Sequence, residues 1–174
     1  MSRRSRSANK GQASGSTRSA LEFALIRLAR RAHSEGELIA KLDRAGYAAS
    51  EVTETIGELR RRRYVDDLSF ALGFARGART HKHWGPSRIA HGLRQRGVAE
   101  SHIERAVAEA FPEGEVEPAA EVLARFRRTE RARGTPLERK ARAYRHLYAR
   151  GFSPEAIRQA LDKVMMGVTA KNRP

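Results

Sequence analysis

The chain of 174 residues contains no cysteine, which excludes a disulfide framework and any thiolate metal site. Aromatic residues make up only 6%, so a core must be built mainly from Leu, Ile, Val and Ala. No apolar run approaches the roughly 20 residues that span a bilayer. The first 19 residues also lack the apolar stretch of a secretory signal. Phosphate-cradling glycine loops, a nucleophile elbow and an acid/base dyad are all missing, which points away from an enzyme and from any cofactor. A soluble, cytoplasmic protein with one compact or elongated domain is expected.

What the sequence does hold is a module that occurs three times. Gly46, Gly97 and Gly151 each sit in the same apolar frame. Eight residues earlier come Leu38, Ile89 and Ala143, and four earlier come Leu42, Leu93 and Leu147. One residue later come Tyr47, Val98 and Phe152, and six later Val52, Ile103 and Ile157. Ile56, Val107 and Leu161 follow at ten, and Leu59, Ala110 and Val164 at thirteen. These eighteen positions align without a gap at intervals of 51 and 54 residues. Repeated modules of this size usually stack into a body with an extended binding surface.

Helical signals surround each glycine. Leu21, Leu25 and Leu28 form a stripe over 20–31, and Ser34 before Glu35 and Glu37 marks the next helix start. That helix stops at Gly46, and a third runs from near Ser50 into Arg60–Arg63. In the second repeat Asp66 is the expected N-cap, Pro86 suits a first turn, and a last helix covers about 100–110. The segment 112–118 is an acidic, turn-forming connector. Helices over about 136–150 and from Ser153-Pro154-Glu155 complete the third repeat. The expected fold is all-α, an elongated, curved array of three tandem three-helix repeats of helix-turn-helix type. The expected divisions are a disordered basic tail at 1–19, repeats at 20–65, 66–112 and 113–167, and a flexible C-terminus at 168–174.

Charge is lopsided. The net charge is +15, with +5 in residues 1–19 and +6 in residues 113–174. Such a balance favours polyanionic partners or assemblies that contain them. One cluster, residues 79–96, holds Arg79, Lys82, Arg88, Arg94 and Arg96 with no acid. Another, residues 125–150, has ten basic groups against Glu130 and Glu138. Within it Arg139, Arg142, Arg145 and His146 are expected to project away from Ala143, Tyr144 and Leu147. With Arg61, Arg62 and Arg63, which could equally complement a helix end, these arginines and Lys82 are the candidate contacts to protein or DNA. The competing reading for each is a solvated surface charge.

Two further features have bland explanations. Trp84, the sole tryptophan, could stack on a base, but packing between repeats suits its apolar surface better. Its neighbours His81 and His83 are two ligands where a metal needs three or four. Asp66-Asp67 superficially matches a two-metal carboxylate turn, yet it stands at a helix start, where capping explains it.

Particular motifs then resemble those of the RecX family. His33-Ser34-Glu35 with Glu37-Leu38 and Lys41-Leu42 resembles its opening signature, and Tyr64-Val65-Asp66-Asp67 with Phe70 its second. Gly85-Pro86, Ile89, Leu93 and Gly97-Val98 resemble the next, and Arg139-Lys140 with Arg150-Gly151-Phe152 the last. The resemblance runs in order through residues 20–164. It implies a bent, all-helical regulator of the RecA recombinase. Such a regulator would bind the RecA filament on single-stranded DNA and usually inhibit its ATPase, strand-exchange and coprotease activities. Some relatives also contact DNA, single- or double-stranded. A monomer without cofactor or membrane attachment is expected. Two other readings stay open: a helix-turn-helix DNA-binding protein acting without RecA, and a general repeat-type adaptor.

Overall fold

A computed structural model describes residues 18–130 and 134–171, with side chains through Val164. Among the described residues there are nine helices and no strand. They fall into two compact units, one ending at Val65 and one beginning at Asp66.

The first unit holds α1 (Ala20–Leu28), α2 (Glu35–Arg44) and α3 (Ala49–Arg61). Helix α1 ends at Leu28, the last residue of its apolar stripe and three residues short of the expected segment 20–31. Its start is a reciprocal capping box, with the Glu22 amide donating to Ser19 Oγ at 3.2 Å and the Ser19 amide to Glu22 Oε2 at 3.1 Å. The Tyr47 hydroxyl donates to the Arg18 carbonyl at 3.0 Å. Residues 18 and 19 of the expected basic tail are therefore ordered against the unit, while 1–17 lie outside the described residues. Ser34 caps α2 through the Glu37 amide, 3.1 Å away. The unit closes around Ala24, Leu38, Leu42, Val52, Ile56, Leu59 and Val65.

The second unit holds α4 (Asp67–Lys82), α5 (Pro86–Arg94), α6 (Glu100–Ala110), α7 (Val116–Thr129), α8 (Pro136–Ala149) and α9 (Pro154–Lys171). Asp66 caps α4 by accepting from the Ser69 amide at 3.0 Å and hydroxyl at 2.9 Å, and these bonds hold its carboxyl below the usual range. Pro86 and Pro136 occupy first turns, where no amide donor is needed. Ser153 caps α9 through the Ala156 amide, 3.2 Å away. The backbone of α9 continues to Lys171, past the expected limit of the third repeat at 167, and 172–174 lie outside the described residues. Helix α4 packs chiefly on α6, and α7 on α9, around one shared core.

The repeat frame is realised position by position. Leu42, Leu93 and Leu147 are each wholly buried. Of the eighteen aligned positions, only Tyr47, Val107 and Val164 are half-buried, and the others are buried. The three glycines share a left-handed backbone, with φ of 86°, 72° and 87°. Each closes its helix with the same two main-chain bonds. The residue after glycine donates to the carbonyl of Leu42, Leu93 or Leu147 at 3.3 Å, and the glycine amide reaches Asp43, Arg94 or Tyr148 at 2.9–3.0 Å. This is the Schellman closure, and glycine is the residue that adopts its φ without strain.

Within the second unit, the end of α8 abuts the start of α5. The Gly85 amide donates to the Arg150 carbonyl at 2.7 Å and the Ser87 amide to the Gly151 carbonyl at 3.1 Å. Arg88 Nη1 adds a bond to the Ala149 carbonyl at 2.8 Å, and Arg150 Nη1 returns one to the Lys82 carbonyl at 2.8 Å. Orphan carbonyls of one helix end thus satisfy orphan amides of another, and the negative end of one dipole meets the positive end of the next.

Candidate interaction surface

The candidate cations divide by what already holds them. Arg61 and Arg62 both pair with Glu58, whose carboxyl they hold below its usual range, and both keep most of their surface exposed. Arg63 is the left-handed residue (φ 56°) that closes α3, with the Tyr64 amide bonded to the Leu59 carbonyl at 2.9 Å. Arg79 donates to the Ala110 carbonyl and lies 5.3 Å from the centroid of Phe111. Arg96 donates to the Gly92 carbonyl at 2.6 Å and covers Phe74 at 4.7 Å. Arg94 forks onto Glu100 at 2.8 and 2.5 Å, and the pair shifts in opposite directions, the guanidinium up and the carboxyl down. These side chains tie α4, α5 and α6 together, so the local +5 overstates the charge free to meet a partner.

Lys82 and Arg88 flank Trp84, at 4.8 and 4.7 Å from its ring centroid. The indole is half-buried, edge-on to Phe74 at 6.2 Å and close over Gly92. These ring contacts come from α4 and α5, because the left-handed His83 (φ 54°) turns the chain back over α4, and the indole packs against the core that the second and third repeats share. His83 Nε2 lies 3.0 Å from the Arg125 guanidinium. Among the described residues, no group of three potential metal ligands gathers.

Helix α8 departs from expectation at Arg139, Arg142 and His146. Arg142 is folded back onto Glu130 in a half-buried pair, and His146 stacks on Phe126 at 4.2 Å with 25° between the rings. Burial, and then the charge of Arg150, push the His146 pKa below its ordinary value, while its Nε2 accepts from Arg150 Nε at 3.0 Å. The reason is angular: positions 139, 142 and 146 flank the buried Ala143 and Leu147 on the side facing α7. Arg139 is half-buried and donates to the Gly134 carbonyl at 2.9 Å. Arg145 does project outward and meets no charged partner among the described residues. Tyr144 and Tyr148 stack 6.2 Å apart, with Tyr148 61% exposed.

Arg127 and Arg128 on α7 and Lys140 on α8 are exposed as well, and the sequence alone singles out none of them. Local charge density was their signal. Only the folded register separates them from the pinned Arg142.

Among the described residues, most of the candidate cations are thus engaged in bidentate ion pairs, carbonyl bonds and cation–π contacts. Family models show where the chain belongs. Descriptions of the first, second and third three-helix domains of RecX match residues 20–59, 66–107 and 113–161. The chain belongs to the RecX family. Proteins called "Regulatory protein RecX" include that of Prosthecochloris aestuarii, 33% identical over 150 residues and covering 86% of this chain and 95% of the relative. That of a Thermus thermophilus strain is 37% identical over 133 residues, covering 76% and 83%. A solved structure of a regulatory protein RecX superposes with a TM-score of 0.74 at 26% identity, covering 82% of this chain and 71% of the other. RecX from Lactobacillus salivarius gives 0.71 at 20% identity, covering 84% and 95%, a likeness of fold. The all-α architecture of three tandem three-helix RecX domains follows, and among the described residues no helix is long and apolar enough to cross a membrane.

Proposed function

We propose that this protein binds RecA recombinase, on the filament that RecA forms on single-stranded DNA, and restrains its ATPase, strand-exchange and coprotease activities in recombination and DNA repair. It acts in the cytoplasm as a monomer, by occupancy rather than by chemistry. The observation that carries the reading is the presence of all three RecX domains in order over residues 20–161. Supporting it is a net charge of +15, suited to a partner that holds a polyanion.

The contact falls to cations with exposed side chains, Lys82 and Arg88 beside Trp84 and Arg145 on α8, together with the half-buried Arg139 of the same helix. Arg61, Arg62 and Arg63 at the end of α3 join them. Arg79, Arg94, Arg96 and Arg142 serve mainly to hold their helices, and they contribute to binding through the shape they maintain.

The test is a titration of the protein against RecA filaments assembled on single-stranded DNA, read by ATP hydrolysis and co-sedimentation. Falling hydrolysis with the protein in the pellet supports the proposal. Unchanged hydrolysis with no co-sedimentation overturns it. Tight binding to naked duplex with a steep salt slope and no response to RecA would instead make this an independent helix-turn-helix DNA-binding protein.

A further inference from the structure

A groove of about 570 Å³ opens between α7, α8 and α9. Leu123, Ala143, Leu161 and Val164 form its floor. At its lip stands Leu137, 77% exposed. The second residue of α8 thus holds an aliphatic side chain in water, although helix formation and capping by Thr135 and Pro136 need nothing apolar there.

The rim is cationic. Arg127, Arg139 and Lys140 border the opening, and the single acid among its described residues, Glu130, is already neutralised by Arg142. We infer that this groove docks an acidic, amphipathic helical segment of a protein partner, whose apolar side chains enter against Leu137 and Leu161 while its carboxylates meet Arg127 and Lys140.

Charge and composition select this occupant over others. Among the described residues no aromatic ring lines the groove, so bases find nothing there to stack on, and the aliphatic floor offers them no hydrogen-bonding edge. The chain's own termini repel the rim: residues 1–17 carry Arg3, Arg4, Arg6 and Lys10, and residues 165–174 carry Lys171 and Arg173, neither with an acid. A second copy would bring its acidic 113–117 segment, but Glu115 accepts from the Ser153 amide at 3.0 Å and Glu117 pairs with Lys163. Helix-in-groove recognition reads apolar anchors three and four residues apart, which an aliphatic floor such as this one accepts. The inference concerns the third repeat alone and does not depend on RecA.

The experiment uses the full chain and a synthetic, fluorescein-labelled peptide of about 18 residues with Leu at helical spacing and Glu elsewhere. Its control is a shuffled peptide of identical composition, and binding is read by anisotropy. The ordered peptide should bind saturably and at least about 10-fold tighter than the shuffled one, a difference only a shaped site produces. Leu137→Glu should abolish that preference, and Lys140→Glu with Arg127→Glu should weaken binding at least about 10-fold, with thermal melting unchanged because all three side chains are exposed. Equal binding of the two peptides, or indifference to Leu137→Glu, overturns the inference. So does dimerisation of the chain lost in Leu137→Glu, or displacement of the peptide by oligo(dT). Restraint of RecA ATPase, measured without peptide, is read separately and bears only on the proposed function.

Discussion

A side chain on Gly85 would place its Cβ 2.5 Å from the carbonyl oxygen of Gly151, and one on Gly151 would lie 2.5 Å from the amide nitrogen of Arg88. The two glycines therefore set how closely α8 approaches α5. The obstacles are backbone atoms, which cannot rotate aside. Gly46 has almost the same φ as Gly151, 86° against 87°, but nothing lies within 4 Å of its missing Cβ.

This pair separates strain from collision. Gly46→Ala should cost only the left-handed penalty, about 1–2 kcal/mol. Gly151→Ala carries the same penalty and also forces the helix ends apart, so its loss should exceed that of Gly46→Ala by at least about 1 kcal/mol. Gly85→Ala should destabilise comparably without any φ penalty. Urea unfolding of the three variants gives the comparison. Equal losses at Gly46 and Gly151 would mean that the α8–α5 seam adjusts freely.

Arg63 presents the opposite case, a non-glycine residue held at φ 56° where the three repeat stops use glycine, as His83 is at 54° at the end of α4. Arg63→Gly should raise stability by roughly 0.5–1 kcal/mol. If Arg63 is retained for contact, the same variant should weaken association with the filament. A variant that melts higher and restrains RecA unchanged would assign Arg63 no part in binding.

Much of this was readable beforehand because it repeats. The frame around Gly46, Gly97 and Gly151 gave the core and three helix stops, since a left-handed stop followed by an inward residue leaves a fixed spacing. Ser34, Asp66 and Ser153 act as caps through short, local bonds. Non-local placement was hidden. Nothing in the spacing of His146 reveals Phe126 twenty residues earlier, and Arg142 reads as a surface charge until Glu130 is brought against it. The α8–α5 seam joins main-chain groups, which leave no pattern except the glycines, and the arginines that add to it, Arg88 and Arg150, read as surface charges. The groove is not legible in the sequence because its rim residues come from helices whose register, not composition, brings them together.

His146 gives a pH dependence with a definite sign. Its folded pKa lies below the ordinary 6.5, first through burial against Phe126 and then through the charge of Arg150. The unfolded chain therefore takes up a proton more readily. The associated stability is complete above about pH 6.5 and drains as pH falls toward and through the folded pKa. His146→Phe, which keeps a ring against Phe126, should reduce the difference in melting temperature between pH 7.5 and 5.5. An undiminished difference would place the sensitivity elsewhere, with His33 as the next group, also lowered by burial.

Substitution of arginines should sort them into two kinds. Arg145→Glu removes an outward charge with no charged partner among the described residues and should leave melting unchanged within about 0.5 kcal/mol. Its effect should be weaker restraint of RecA, more marked at low salt than at high. Arg96→Ala uncovers Phe74 and frees the Gly92 carbonyl, so it should lower the melting temperature instead. Loss of stability in the first variant, or none in the second, would reverse the division.

The three helix stops are sealed by amides and carbonyls, which every residue possesses, with glycine as the sole chemical requirement. A stretch of gene copied end to end thus carries its own punctuation, and the text between stops is free to diverge. That is how three passages with few letters in common can still share one grammar.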